Sequence, residues 1–364
     1  MFSRIKYINY PSFARKKMIE KEKKKNKKNR SVIKTILTVI LLIFILLAAA
    51  LTVSWFKGRS AAKSEATLDS DAVVLEDEPA PVITNSGEVI TYKGTTYSYN
   101  SNIVTFAFIG IDKATMGLDN GIVGTGGQSD TIAILAYDVS TGGSKIIVVP
   151  RETMVDVSTF DINGCYLDIK KMQICLAYAY GDGAKTSCEN ALSSISRLLF
   201  GMKINHYIAL DLEGLVAVND AVGGVDVTCL ETIGQFKEGE RITLLGQMAD
   251  QYVRDRRKDI VDADTFRRAR QKQYIESFVS KTMGLIKKDF TLVPSLWTKA
   301  SDYMVTDLTV NDATYLASVA LSRSFTLGEF KTVPGTYAMG KDFVEYTPDT
   351  DALFELILDT FYNK

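Results

Sequence analysis

Two aspartates and a spaced set of arginines are the side chains best suited to chemistry in this chain. Asp112 follows a continuous β-prone run, 103–109, that ends in Gly110-Ile111. Asp130 stands at the head of a second run, 131–137, after the stretch 117–127 and Gln128-Ser129. Carboxylates at neighbouring strand ends suit a hard ion such as Mg²⁺, which takes one or two carboxylates and leaves positions for phosphate oxygens. The plainer alternative is that Asp130 caps a turn and Asp112 pairs with a lysine. The stretch 117–127 holds five glycines, whose backbone N–H groups can approach phosphate closely. No Gly-Lys-Ser/Thr ending follows, which excludes a nucleotide P-loop.

Arg151 lies beyond a third run, 145–149, in Pro150-Arg151-Glu152-Thr153, at the same expected sheet edge. A solvated surface arginine is the alternative there. A richer cluster is Tyr252-Val253-Arg254-Asp255-Arg256, followed by Arg267, Arg270 and Gln271. If the first stretch is extended, Arg254 and Arg256 point to one side, and on a following helix Arg267 and Gln271 are one turn apart. Two guanidinium forks and a third cation suit a pyrophosphate, since each fork binds oxygens bidentately and is always charged. Interleaved Asp255, Asp259, Asp262 and Asp264 leave a salt-bridged surface helix as the other reading.

The elements expected to position these groups alternate between strand and helix. The three runs read as central strands, with further strands at 207–210 and 225–228. Helical segments are expected at 176–180, 188–200, 213–221 and 264–285. This is an α/β pattern, a mostly buried mixed sheet covered by helices. His206 is the sole histidine, which excludes a multi-histidine zinc site, and Asn205-His206-Tyr207 before a strand reads as structural. The four cysteines, Cys165, Cys175, Cys188 and Cys229, show no CxxC spacing. Their pairing is left open.

The N-terminus adds a location. Residues 1–34 carry 13 Lys or Arg against two acids, and 35–56 is an uncharged, apolar stretch of 22 residues ending in Trp55-Phe56. As a helix it is about 33 Å long, enough to span a bilayer core. Basic residues before it and aromatics at its far edge orient the N-terminus to the cytoplasm and the remainder outside. The apolar run extends past Ala48-Ala49-Ala50, so an anchor fits better than a cleaved signal. Residues 57–86 read as an acidic stalk, 87–100 as a β-hairpin turning at Lys93-Gly94, and 101–364 as one extracytoplasmic domain. Removing the N-terminal charges from the balance of 43 basic and 43 acidic residues leaves 30 against 41 beyond Phe56. That acidic part is no general partner for nucleic acid.

The chain resembles the LytR-CpsA-Psr family of membrane-anchored enzymes. The resemblance rests on Phe108-Ile109-Gly110-Ile111-Asp112, Gly127-Gln128-Ser129-Asp130-Thr131, Pro150-Arg151-Glu152-Thr153, Ala177-Tyr178-Ala179-Tyr180-Gly181, Asn205-His206-Tyr207 and Val222-Gly223-Gly224-Val225-Asp226-Val227. It continues through Leu245-Gly246-Gln247, Tyr252 to Arg256 and Arg267 to Gln271, all in family order. It implies transfer of a glycopolymer, such as teichoic acid or capsule, from a polyprenyl-pyrophosphate carrier to peptidoglycan in a Gram-positive-type envelope. Mg²⁺, with Mn²⁺ as a substitute, is the implied cofactor. Asp112 and Asp130 are then the metal carboxylates, and Asp112, Asp130, Arg151, Arg254 and Arg256 the catalytic set. Gln128, Arg267, Arg270 and Gln271 become substrate-binding residues. A lipid pocket is also implied, with Ile174, Leu176, Tyr180, Leu198, Leu199, Phe200, Val218 or Val222 as lining.

Three departures from the family pattern stand out: Glu152 replaces an aspartate, Gln173-Ile174-Cys175 replaces Lys-Ile-Asn, and the glycine-rich turn is longer. Lys170 or Lys171 is the candidate substitute for the missing lysine. The competing functions are a noncatalytic wall-glycan-binding or envelope regulatory protein and a polyprenyl-pyrophosphate pyrophosphatase.

Overall fold

The computed structural model describes residues 65–75, 80–255, 257 and 263–364. These belong to one unit, Trp55–Lys364, whereas the other unit, Met1–Ser54, lies outside the described residues. The expected basic segment and membrane helix therefore fall outside them. Among the described residues no helix is long and apolar enough to cross a membrane.

Strands β1 (Val82–Thr84), β2 (Val89–Tyr92) and β3 (Thr95–Tyr99) precede the long strands β4 (Ile103–Ile111), β5 (Ser129–Asp138) and β6 (Ser144–Val149). A hairpin of β7 (Met154–Phe160) and β8 (Tyr166–Gln173) leads through a 3-10 segment, Ile174–Tyr180, into helix α1 (Lys185–Leu198). Then come β9 (His206–Leu210), α2 (Leu212–Ala221), β10 (Val225–Thr228), β11 (Arg241–Leu244), α3 (Gln247–Arg254) and α4 (Ala263–Lys288). The chain ends with α5 (Leu292–Ser301), β12 (Met304–Thr306), α6 (Val310–Ser322), β13 (Phe330–Thr332), β14 (Gly335–Met339), β15 (Val344–Pro348), α7 (Thr350–Phe361) and β16 (Tyr362–Asn363).

The central sheet has the order β12-β9-β4-β5-β6-β13. It is mixed: β4 pairs in parallel with β9 and β6 with β13, while the other neighbours run antiparallel. Alternation along β4 divides its side chains between two faces. Ala107, Ile109 and Ile111 enter the main core with Ile132, Ile134, Tyr178 and Ile195. Val104 and Phe106 face a smaller core with Tyr137, Tyr315 and Val319. A third cluster joins β10, β11, α3 and α4 through Val225, Leu244, Tyr252 and Tyr274. Because β4 and β6 run the same way and β5 opposes them, Asp112, Asp130 and Arg151 all arrive at one edge of the sheet.

The expected hairpin is present as β2–β3, with Tyr92 opposite Thr95, and it is extended on both sides by β1 and the C-terminal β16. The stalk is shorter than expected. Leu68 is only 2% exposed within the main core, and Asp69 donates its N–H to the Phe200 carbonyl at 2.8 Å. Thr67 accepts the Lys203 N–H at 2.8 Å and donates to the Gly201 carbonyl at 3.1 Å. Buried Leu68, with Val73 and Leu75 packed against the same core, draws this segment onto the domain.

Candidate active site

Asp112 and Asp130 are brought to the same end of neighbouring strands, beside Gln128, by a break in strand register. Gly110 pairs with Thr131 and Ile111 with Ser129, so Asp130 is the extra residue of a β-bulge. A bulge turns its side chain out of the ladder, and Asp130 is exposed. Asp112 fixes the approach from the other strand: its N–H donates to the Gln128 carbonyl at 3.1 Å, and its Oδ1 accepts the Gln128 N–H at 2.6 Å. Gly127 has φ +89°, and a Cβ there would come within 2.9 Å of the same Oδ1. Glycine is required at that position both for its backbone conformation and for room.

Arg151 reaches this pair from the end of β6. Its Nη1 donates to Asp130 Oδ1 in a close ion pair, and its Nη2 lies 3.3 Å from Gln128 Oε1. Glu152, longer than the aspartate the family pattern favours, lies 3.5 Å from Arg151 Nε. Asp112, Gln128, Asp130 and Arg151 thus form one polar edge. Beside it lies a cavity of about 480 Å³, lined on one side by Asp112, Lys113 and Gln128 and on the other by Leu176, Ala179 and Tyr180. Under the edge, Ser129 Oγ donates to the Cys175 carbonyl at 3.2 Å. The Cys175 thiol is 3.8 Å from Gln128 Oε1, and burial pushes its pKa up to about 11.

The helical arginines are arranged differently. Tyr252 to Arg254 is not extended but forms the last turn of α3, whose Ala249, Tyr252 and Val253 are buried. The final carbonyls of a helix lack intrahelical partners, and α4 supplies them. Arg270 donates to the Tyr252 and Asp255 carbonyls, and Gln271 Nε2 donates to the Val253 carbonyl at 3.1 Å. Arg270 is fully buried, its Nε is 3.0 Å from Glu231 Oε1, and it sits 5.7 Å from the Tyr252 ring centroid. Its expected role as a substrate contact is therefore corrected to a structural one, because all its nitrogens are engaged by the chain. Gln271 likewise spends one amide donor on capping α3.

Arg254 stays half-exposed, with Asp250 one turn earlier at 3.2 Å. Arg267 is half-buried on α4, and Arg256 lies outside the described residues. Hence the structure brings Asp112, Gln128, Asp130 and Arg151 together, while Arg270 and Gln271 serve the helix junction.

Other expectations resolve individually. His206 Nδ1 is 3.1 Å from Asp307 Oδ2, and its ring stacks on Phe106, in keeping with a structural role. All four cysteines are free thiols, and Cys165 alone of the four is exposed. Gln173 donates to the Val344 carbonyl at 2.8 Å, and Lys170 pairs with Asp168 at 3.7 Å on the exposed strand β8. Of the residues expected to line a lipid pocket, Ile174, Leu198, Leu199 and Phe200 are buried in the main core, and Val222 is buried too. Leu176 and Tyr180 line the cavity instead.

A partly covered apolar row lies on the opposite sheet face, where Ile208 packs against the smaller core. Val148, Ala133, Phe108 and Ile208 pair in register across four strands, and Phe108 is 38% exposed. Sequence reading did not find this row, since a continuous buried-strand pattern hides which face is left open. It also passed over Lys113, although a lysine shortly before a glycine-rich loop with an acid, Asp119, was a usable signal.

Residues 62–357 match the sequence profile described as the LytR_cpsA_psr family. The chain belongs to this family. It is 29% identical over 224 residues to the polyisoprenyl-teichoic acid–peptidoglycan teichoic acid transferase TagU of Enterococcus faecalis, covering 59% of this chain and 66% of that protein. It is 30% identical over 162 residues to TagU of Halalkalibacterium halodurans, covering 43% and 48% respectively. The matched stretches thus span about half to two thirds of these relatives. In structure, the LytR_cpsA_psr chain is similar to protein gbs0355 from Streptococcus agalactiae, with a TM-score of 0.57 at 20% identity, over 72% of this chain and 90% of that one. That likeness concerns the mixed α/β fold.

Proposed function

We propose that this protein is a membrane-anchored transferase that moves a glycopolymer from a polyprenyl-pyrophosphate carrier onto peptidoglycan, forming a phosphodiester. The observation that carries the reading is the convergence of Asp112, Gln128, Asp130 and Arg151 at one sheet edge. The names of the E. faecalis and H. halodurans relatives support the substrate class. The exposed Phe108 ring, two residues before Gly110 on β4 and flanked by half-buried Ala133 and Ile208, would suit contact with an isoprenoid chain.

In this reaction an acceptor hydroxyl oxygen attacks the sugar-linked phosphorus, and the bond from that phosphorus to the bridging oxygen breaks. The carrier leaves as polyprenyl phosphate. Arg151 holds the negative phosphoryl oxygens, an interaction that grows as charge develops in the transition state. Gln128 keeps Arg151 oriented from one side. Asp112 has one oxygen tied to the Gln128 N–H, leaving the other to take the acceptor proton or to serve as a ligand. Two carboxylates at adjacent strand ends form a donor set that fits Mg²⁺, which keeps several waters and adds phosphate oxygens. Bound there by Asp112 and Asp130, Mg²⁺ would supply charge neutralisation of the pyrophosphate.

The test is incubation of the full-length protein in detergent with polyprenyl-pyrophosphate-linked glycopolymer, peptidoglycan and Mg²⁺. Covalent attachment supports transfer. Binding without product would make the protein a wall-glycan receptor, and hydrolysis without attachment a pyrophosphatase. Topology is checked separately: protease added to intact spheroplasts should digest residues beyond Phe56. Protection until lysis would reverse the proposed orientation.

A further inference from the structure

Lys113, next to Asp112, has its ammonium surrounded by three oxygens of the glycine-rich loop. The Gly117 carbonyl is at 2.9 Å, Asp119 Oδ1 at 2.8 Å and the Thr125 carbonyl at 3.0 Å. An ammonium has three donors, so the loop takes them all. The acceptors come from both ends of the loop, so the Lys113 side chain closes it, together with Thr125 Oγ1, which accepts the Asp119 N–H at 2.8 Å and donates to the Ile122 carbonyl at 2.7 Å.

The lysine's own backbone is anchored from the other side. The Lys113 and Ala114 carbonyls accept the Leu212 and Glu213 N–H groups of the first turn of α2. Buried Asp211 accepts the Met116 N–H at 2.8 Å and the Gly214 N–H at 2.7 Å. The loop has few large side chains to hold it, since Ile122 is exposed and glycines supply much of its length, although Gly126 is buried with no room for a Cβ against Gly183. Ordering such a segment costs more conformational entropy than ordering one with side chains, and it needs specific attachments. Its outer attachments are the Gly124 N–H, which donates to the Ala179 carbonyl at 3.0 Å, and the Val123 N–H, which donates to the Ile162 carbonyl at 3.4 Å. Held at these places, the loop walls the cavity beside Asp112 and Gln128.

We propose that Lys113 is a positioning residue that holds the glycine-rich loop as a wall of the substrate cavity and so sets the place of Gln128 against Asp112. It does not grip phosphate itself, because its donors are taken and Asp119 offsets its charge. The consequence for turnover rests on the transferase reading above, whereas the consequence for loop order does not.

The test uses the full-length protein in detergent with Lys113→Met, Lys113→Arg and Asp119→Asn. Amide hydrogen exchange is followed at Asp119, Ile122, Gly124 and Thr125, whose N–H groups are bonded within the loop or to Ala179. In Lys113→Met, exchange there should accelerate about ten- to a hundredfold, the size expected for losing bonds to a charged donor. Asp119→Asn keeps both carbonyl acceptors and should show a smaller increase. Lys113→Arg should rescue only partly, because a planar fork cannot meet three converging oxygens. The KM for polyprenyl-pyrophosphate-linked glycan should rise by about tenfold in Lys113→Met, with a smaller change in kcat. Unchanged exchange in Lys113→Met would overturn the proposal, whatever the activity. Faster exchange in a protein whose wild type transfers nothing would leave the proposal standing and sink the transferase reading.

Discussion

Arg151 and Arg270 each face a carboxylate, yet Arg151 keeps 36% of its side chain exposed beside Asp130 while Arg270 has none beside Glu231. The difference is in what else each must satisfy. Arg270 is enclosed by β10, α3 and α4, and its remaining donors close the end of α3 through the Tyr252 and Asp255 carbonyls. Arg151 also has a partner at each nitrogen, Asp130 at Nη1, Gln128 at Nη2 and Glu152 near Nε, but these are side chains at a half-exposed edge rather than buried backbone carbonyls. A cation meant to meet a phosphate must be presented in this second way. Sequence gives both residues the same charge, and only the packing separates the buried brace from the half-exposed arginine proposed to meet phosphate.

The largest effect that could break this comparison is on stability. Removing one partner of a buried ion pair costs about 3–5 kcal/mol, because the other charge is left buried and unpaired. Arg270→Ala should therefore lower the unfolding free energy by roughly that amount in denaturant titration. Arg151→Ala should change it by about 1 kcal/mol at most, as for an exposed pair. Similar stabilities for the two variants would erase the distinction.

Turnover should show the reverse order. Loss of a preorganised donor to developing negative charge costs roughly 10²–10³ in rate. Arg151→Ala and Asp130→Ala should fall in that range in a transfer assay, with melting temperatures close to the wild type. Normal Mg²⁺-dependent turnover in both would remove the sheet edge from the chemistry.

Arg254 is the intermediate case, half-exposed at the end of α3 and paired to Asp250. If it turns from Asp250 to a pyrophosphate, Arg254→Ala should weaken carrier binding by about ten- to a hundredfold, as for one charge-assisted hydrogen bond. Arg254→Lys should recover only part of that loss. Binding unchanged in Arg254→Ala would leave it an ordinary surface ion pair.

These contrasts also mark what was legible in the sequence. The strands β4, β5 and β6 stood out because each is a continuous β-prone run bounded by glycine or proline, and both aspartates and Arg151 were fixed at their ends. The β7–β8 hairpin was missed because Tyr166–Gln173 mixes exposed Tyr166, Leu167 and Ile169 with charges, so no period marks it. The shared side of Arg254 and Arg256 depended on Tyr252 to Arg254 being extended, yet burial of Ala249, Tyr252 and Val253 makes it helical. That change removed the geometric reason for Arg254 and its neighbour to share a side. Arg270 was misread for a related reason. Its acceptors are backbone carbonyls brought close by the α3–α4 junction, and no residue spacing announces them.

The smallest effect concerns the thiol beneath the sheet edge. Burial raises the Cys175 pKa from the ordinary 9.0 to about 11; Arg151 opposes the shift, and Asp130 and Glu152 add to it. Between pH of about 9 and about 11 the unfolded chain loses this proton while the native protein keeps it. The unfolded state then binds fewer protons, so stability falls as pH rises through that window, by at most about 1.4 kcal/mol per pH unit for one group. Below the window this group contributes no slope. Other buried groups, Cys188 among them with a pKa pushed to about 12, add their own alkaline losses, so the informative quantity is a difference. Cys175→Ser should flatten the stability curve over that window relative to wild type and leave the region from pH 7 to 8 parallel. Arg151→Met removes the one nearby cation that favours the thiolate, so Cys175 alkylation at pH 9 should slow, whereas a folded Arg270 variant should leave it unchanged. Equal alkylation rates in both variants would mean that Arg151 is not held over this thiol, and the placement of the site's cation would have to be redrawn.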